Sequence, residues 1–193
     1  MRVVGGKCKG RRLSPFRGLE IRPTPDKVRE AVFNILAGGG LGGGGAGGGR
    51  FEKVLDLFAG TGAMGIEALS RGSTEAVFVD MNPGAVSVIK KNLEACGLTE
   101  SAKVYKREVK GALKTLSARH CRFDLIIIDP PYESSLTEET LKDIEASGLL
   151  SPGGIIVAET SKRNPIETGP AGLELLDVRR YGDTSVYFFT AAG

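Results

Sequence analysis

Four consecutive residues, Asp129-Pro130-Pro131-Tyr132, directly follow the apolar run 125–128 and combine three groups suited to a planar amine. Proline has no N–H, so the Pro130 carbonyl can face a ligand without competition from the next amide, and an ionised Asp129 only accepts hydrogen bonds. Both would accept from one NH2, while Tyr132 stacks on the ring that carries it. The lone pair of such an amine is delocalised into its ring. Two acceptors pull the nitrogen toward tetrahedral geometry and stabilise the positive charge that builds on it during alkylation. The same residues also suit a plain strand-to-turn junction.

A second constellation narrows the chemistry. Val54-Leu55-Asp56-Leu57-Phe58 reads as a buried strand, and Ala59-Gly60-Thr61-Gly62-Ala63-Met64-Gly65 as a glycine-rich turn into a helical pattern over 66–71. A further apolar run, 76–79, ends in Asp80, where an acid can hold ribose hydroxyls. Gly60, Gly62 and Gly65 formally satisfy a dinucleotide fingerprint, which leaves a nicotinamide enzyme open. Asp56 before the turn fits a pyrophosphate badly and a sulfonium or ammonium cation well. S-adenosylmethionine (SAM) carries both cations and no phosphate.

The chain resembles the RsmD-type bacterial 16S rRNA (guanine-N2)-methyltransferases of the class I SAM-dependent family. The likeness lies in Met1-Arg2-Val3-Val4-Gly5-Gly6-Lys7, Arg11-Arg12-Leu13, Arg22-Pro23-Thr24, Val28-Arg29-Glu30-Ala31-Val32-Phe33-Asn34, the segment 56–72, and Asp129 to Tyr132. It implies methyl transfer from SAM to the exocyclic N2 of a guanine in small-subunit rRNA, on the subunit or an assembly intermediate, by a cytoplasmic monomer. It also implies a cofactor set of Thr24, Asp56, Phe58, Ala59, Gly60, Thr61, Gly62, Asp80, Met81, Glu108 and Val109 and a catalytic set of Asp129, Pro130, Pro131 and Tyr132, while the basic charge of residues 1–30 offers RNA contacts at Lys7, Lys9, Arg11, Arg12 and Arg22. Family members usually place an Asp after the third strand, where this chain reads Arg107-Glu108-Val109. The four-residue box does not separate guanine N2 from adenine N6 or cytosine N4 of DNA or RNA. A non-enzymatic RNA-binding module is the remaining alternative, against which the set Asp56, Asp80 and Asp129 argues.

Charge agrees with a nucleic-acid partner. Residues 1–30 hold nine Lys or Arg against Glu20, Asp26 and Glu30, whereas the other 17 basic and 20 acidic residues leave the remainder slightly negative. No apolar run is long enough to span a bilayer, and residues 1–6 lack the apolar stretch of a signal peptide. Cys8, Cys96 and Cys121 are widely spaced and His120 is the single histidine, so neither a disulfide frame nor a metal site is indicated.

The elements that must position these residues read as an α/β three-layer sandwich. A short basic hairpin over 2–13 precedes a helix opening at Thr24-Pro25, with Thr24 as N-cap. Strands near Val54, Val77, Val104, Ile126 and Ile156 alternate with helices over 65–71, 83–95, 110–118 and 137–147. Strands over 173–180 and 185–190, joined by Tyr181-Gly182-Asp183-Thr184, finish the expected seven-stranded, mostly parallel Rossmann-like sheet with an antiparallel hairpin. The expected organisation is a basic N-terminal hairpin and helix (1–37), a glycine-rich linker (38–50) and a methyltransferase domain (51–193). Twelve residues, 38–49, are glycine except for Leu41 and Ala46, a composition that behaves as flexible coil.

Overall fold

The computed structural model of the chain describes residues 1–16, 25–38, 41, 51–131, 134–167 and 169–193. Seven strands form one sheet: β1 (Lys53–Leu57), β2 (Glu75–Asp80), β3 (Ala102–Lys106), β4 (Phe123–Ile128), β5 (Leu150–Ser161), β6 (Leu173–Tyr181) and β7 (Thr184–Ala191). Their order is β3-β2-β1-β4-β5-β7-β6. β1 to β5 pair in parallel, and β7 lies antiparallel between β5 and β6. The helices are α1 (Asp26–Ala37), α2 (Ala63–Ser70), α3 (Pro83–Cys96), α4 (Val109–Ala118) and α5 (Ser134–Ser147). All five parallel strands and the terminal hairpin stand where the sequence places them.

Helices cover both faces of the sheet, so β1 and β4 are nearly continuous apolar runs rather than alternating ones. One core joins α1, α2 and α3 to Val54, Phe78 and Leu125; the other joins α4 and α5 to Leu55, Val77 and Ile126. α3 starts as its sequence dictates, with Asn82 Oδ1 accepting the Gly84 N–H at 2.8 Å and Pro83 in the first turn.

Two details of the N-terminal segment differ from expectation. The stretch 2–13 doubles back as the expected hairpin, with the Val3 N–H on Arg11 O, the Gly10 N–H on Val3 O and the Leu13 N–H on Met1 O, but it holds a single antiparallel bridge, Arg2–Arg12, and a 3-10 turn at Gly6–Cys8 in place of regular strands. Glycines at 5, 6 and 10 disfavour a regular strand. α1 opens one residue later than expected, with Pro25 as N-cap and no side-chain cap; Thr24 lies outside the described residues. Of the glycine tract, only Gly38 and Leu41 are described.

A buried ionic cluster binds this segment to the sheet layer. Glu67 of α2 is fully buried and meets Arg71 at 2.7 Å, Arg29 of α1 at 3.7 Å and the Val4 N–H at 2.8 Å. Arg29, also fully buried, reaches Asp26 at 2.9 Å and the Arg2 carbonyl. Burial opposes ionisation of Asp26, but the hydrogen bond and charge of Arg29 outweigh it and hold the carboxyl below its usual range. Removing one partner of such a cluster leaves a charge stranded in the interior. Glu67→Ala is therefore expected to destabilise the fold by about 3–5 kcal/mol, measured by denaturant unfolding; a loss below about 1 kcal/mol, the size of a surface pair, would contradict this role.

Candidate active site

Asp80, Asp56 and Asp129 lie at the carboxyl ends of three neighbouring strands, β2, β1 and β4. The chain reverses its direction of travel across the sheet between β1 and β4, which opens a crevice at this edge. Registers Leu57–Val79 and Leu57–Ile128 put Asp80 and Asp129 one residue beyond the last pairs, on either side of Phe58. Neighbouring strands are about 5 Å apart, so the two outer acids flank a gap of roughly 10 Å.

The glycine turn forms the floor. Phe58 is left-handed at φ 58°, an uncommon conformation for a residue with a side chain. The Ala59 N–H still bonds Val79 O at 3.0 Å, and the Gly62 N–H closes onto Ala59 O at 2.7 Å. Gly62 is left-handed at φ 77°, and a side chain there would also crowd Ile66 and Ile89. Gly65 serves close approach instead: a Cβ on it would lie 2.7 Å from Phe78 Cζ and 3.1 Å from Asp56 Oδ2. Its bare backbone lets α2 sit against β1 and donate its N–H to Asp56 at 2.8 Å.

The acids differ in environment. Asp80 is half-buried and accepts the Gly60 N–H on one oxygen and the Asn82 N–H on the other, both at 2.8 Å. Each oxygen retains a lone pair for a further donor. Asp56 is buried, and burial pushes its carboxyl well above the usual range; the Gly65 hydrogen bond opposes this, and the charges of Asp129 and Asp80 add to it. Asp129 and Pro130 are half-buried and Pro131 is exposed, while Tyr132 lies outside the described residues.

The remaining expected positions divide. Met81 is 68% exposed beside Asp80, an isolated apolar surface at this rim. Glu108 is exposed at the N-cap of α4, and the preceding Arg107 N–H bonds Asp80 O at 3.1 Å, so the third strand's end does adjoin the site. Val109 packs into the α4–α5 core. Arg11 and Arg12 are exposed on the N-terminal segment. Lys7 and Lys9 flank Cys8, whose N–H bonds Ser70 Oγ at 2.9 Å and whose Sγ lies 3.4 Å from Cys96 O. Ser70 and Cys96 end α2 and α3, which puts Lys7 and Lys9 at the edge of the sheet opposite the acids. Arg22 lies outside the described residues.

Sequence reasoning missed Asn92. This buried residue of α3 donates to Thr61 O in the glycine turn at 2.9 Å and to Ser14 O at 3.2 Å, and accepts the Ser14 N–H at 2.7 Å. The signal was present: a lone amide stands on the apolar face with Ala85, Ile89 and Leu93.

The family described as "Conserved hypothetical protein 95" matches residues 1–190. The chain belongs to this RsmD family. It is 37% identical over 196 residues to "Putative rRNA methyltransferase YlbH" of Bacillus subtilis, covering all of both chains. Ribosomal RNA small subunit methyltransferase D of Escherichia coli K12 is 33% identical over 175 residues, 91% of this chain and 82% of the relative. The solved structure of "Putative methyltransferase yhhF" from Escherichia coli superimposes with a TM-score of 0.80 at 28% identity, covering 99% of this chain and 97% of that one. The family member described here thus has the Rossmann-like fold of the class I SAM-dependent methyltransferases.

The raised Asp56 carboxyl has a consequence for stability without ligand. An unfolded Asp loses its proton in the ordinary range, so between that range and the raised folded value the native state holds the extra proton, and stability falls as pH rises. Asp56→Asn removes this titration. The expected result is a flatter decline of melting temperature with pH above the ordinary carboxylate range; an unchanged profile would remove Asp56 from the account.

Proposed function

We propose that the chain transfers the methyl group of SAM to the exocyclic N2 of a guanine in 16S rRNA, acting as a monomer on the small ribosomal subunit or an assembly intermediate. The observation that carries this reading is the convergence of Asp80, Asp56 and Asp129 on one strand-end crevice, with Pro130 next to Asp129. The donor set fits SAM. Asp56 offers a carboxylate for a cation, Asp80 is fixed by two backbone N–H groups with acceptor capacity left for ribose hydroxyls, and Gly60 and Gly62 leave the turn open to close approach. When bound, SAM supplies an electrophilic methyl on a sulfonium.

The chain's own residues then act on the amine. Asp129 and the Pro130 carbonyl accept from the guanine NH2, orient its lone pair and stabilise the positive charge that develops on nitrogen. Tyr132 stacks on the base. A cation against the rim also favours ionised Asp56, opposing the burial that holds its proton. Thr24, Phe58, Ala59, Thr61, Met81, Glu108 and Val109 complete the proposed cofactor contacts, with Lys7, Lys9, Arg11, Arg12 and Arg22 holding RNA phosphates. The names of the rRNA methyltransferase relatives support the substrate class, and the Asp-Pro-Pro-Tyr box supports an exocyclic amine as acceptor.

The test is transfer of labelled methyl from SAM to small subunits lacking the modification, with naked rRNA and DNA in parallel, read by nucleoside mass spectrometry. Label in N2-methylguanosine is expected; label in N6-methyladenine or N4-methylcytosine would keep the chemistry and discard the base. In the same assay Asp129→Asn should lower the single-turnover rate at least about a hundredfold, the usual loss when one oriented polar contact to developing charge is removed. Its SAM affinity should stay within about twofold. A variant as fast as the parent would reduce Asp129 to a turn residue.

A further inference from the structure

The near-neutral charge of the chain beyond residue 30 conceals a second basic block. Residues 102–122 contain Lys103, Lys106, Arg107, Lys110, Lys114, Arg119 and Arg122 against one acid, Glu108. Outside 1–30 and 102–122, the chain has 10 basic and 19 acidic residues, so its positive charge is segregated and not spread evenly. All seven side chains are exposed, on edge strand β3, helix α4 and the turns on either side of α4.

Helical periodicity puts two of them on one outer face. Ala112, Leu113 and Leu116 turn inward, leaving Lys110 and Lys114 one turn apart on the outer surface. Lys103 is paired with Glu75 at 2.6 Å, whereas Lys106, Lys110 and Lys114 have no carboxylate within 4 Å among the described residues. The upper end of this face adjoins the site, because the Arg107 N–H bonds Asp80 O at 3.1 Å. α4 packs in the core shared with α5, while Val3 and Leu13 of the N-terminal segment pack in the core on the other side of the sheet. The two basic blocks therefore lie on opposite faces, with the acid-lined crevice at the rim between them.

We infer that Arg107, Lys110 and Lys114 form a second RNA-phosphate-binding face, which holds the substrate RNA on the side of the sheet away from the N-terminal segment. This rests on the proposed rRNA substrate. Unpaired cations beside a site for a base of a polyanion lower the free energy of its flanking phosphates and release counterions on binding. RNA gripped from both faces keeps the target base over the crevice while leaving the acids to the cofactor and amine.

The test is Lys110→Ala/Lys114→Ala, which keeps helix propensity, with Lys110→Arg/Lys114→Arg and the α5 control Lys142→Ala alongside. Binding to unmodified small subunits is measured at several salt concentrations, together with SAM affinity, melting temperature and methyl transfer. The double alanine variant should bind roughly three- to tenfold more weakly and lose about 1–2 from the slope of log affinity against log salt, with SAM affinity unchanged. The arginine variant and the control should match the parent. An active parent with an unchanged slope in the alanine variant would overturn the second face and leave the proposed function standing. A parent that neither binds nor methylates the RNA would overturn both.

Discussion

The closeness of α2 to β1 is the constraint on which the site depends. Gly65 is the point of contact: with no Cβ, it seats against Phe78 and directs its N–H at Asp56. That contact buries a carboxylate at the strand end and aims the glycine turn across the sheet edge. All eight residues of α2 are buried, so the helix has no solvent side on which to relax. Its polar residues must find partners within the protein, and Glu67 and Ser70 find them in α1 and the N-terminal segment. The acid-lined rim and the N-terminal segment are thus fixed by opposite sides of one helix.

The electrostatic layout follows from the same geometry. Parallel strands bring Asp80, Asp56 and Asp129 to one edge, where their repulsion adds to burial in raising the Asp56 carboxyl. A crevice of that sign discriminates against phosphate and favours a cation, the reverse of a dinucleotide site with the same glycine spacing. The dinucleotide fingerprint of Gly60, Gly62 and Gly65 is therefore a statement about backbone approach, and the proposed choice of a cation over a phosphate rests on Asp56 beside it.

Much of this was legible in residue order. Uninterrupted apolar runs marked the strands buried on both faces, Pro83 marked the start of α3, and Gly182 marked the closing hairpin, because each signal is local. The acids at the strand ends were legible for the same reason. The Glu67 cluster was not: Glu67 lies in a short helix of otherwise apolar and small residues, and although Arg71 is one turn away, its partners Val4 and Arg29 are set by tertiary packing. The irregular course of 2–13 also escaped, since a single bridge has no periodicity. The basic face on α4 was hidden by summing charge over a region whose acids lie elsewhere, notably Glu138, Glu139, Asp143 and Glu145 of α5.

A glycine-rich tract next to α1 invites a picture of the N-terminal segment as a mobile cover. The bonds made by residues 1–16 argue for a different mechanical role. Ser14 is held by Asn92 through both its N–H and its carbonyl, and the same amide grips Thr61 of the glycine turn. Val4 is bonded to Glu67 and Cys8 to Ser70, while Val3 and Leu13 are buried in the core with α2 and α3. Lifting the segment would take the Val4 N–H from Glu67 and leave the buried Asn92 oxygen without the Ser14 N–H, a buried acceptor left unsatisfied costing about 1–3 kcal/mol. The segment is part of the scaffold, and its arginines stand at fixed positions relative to the glycine turn.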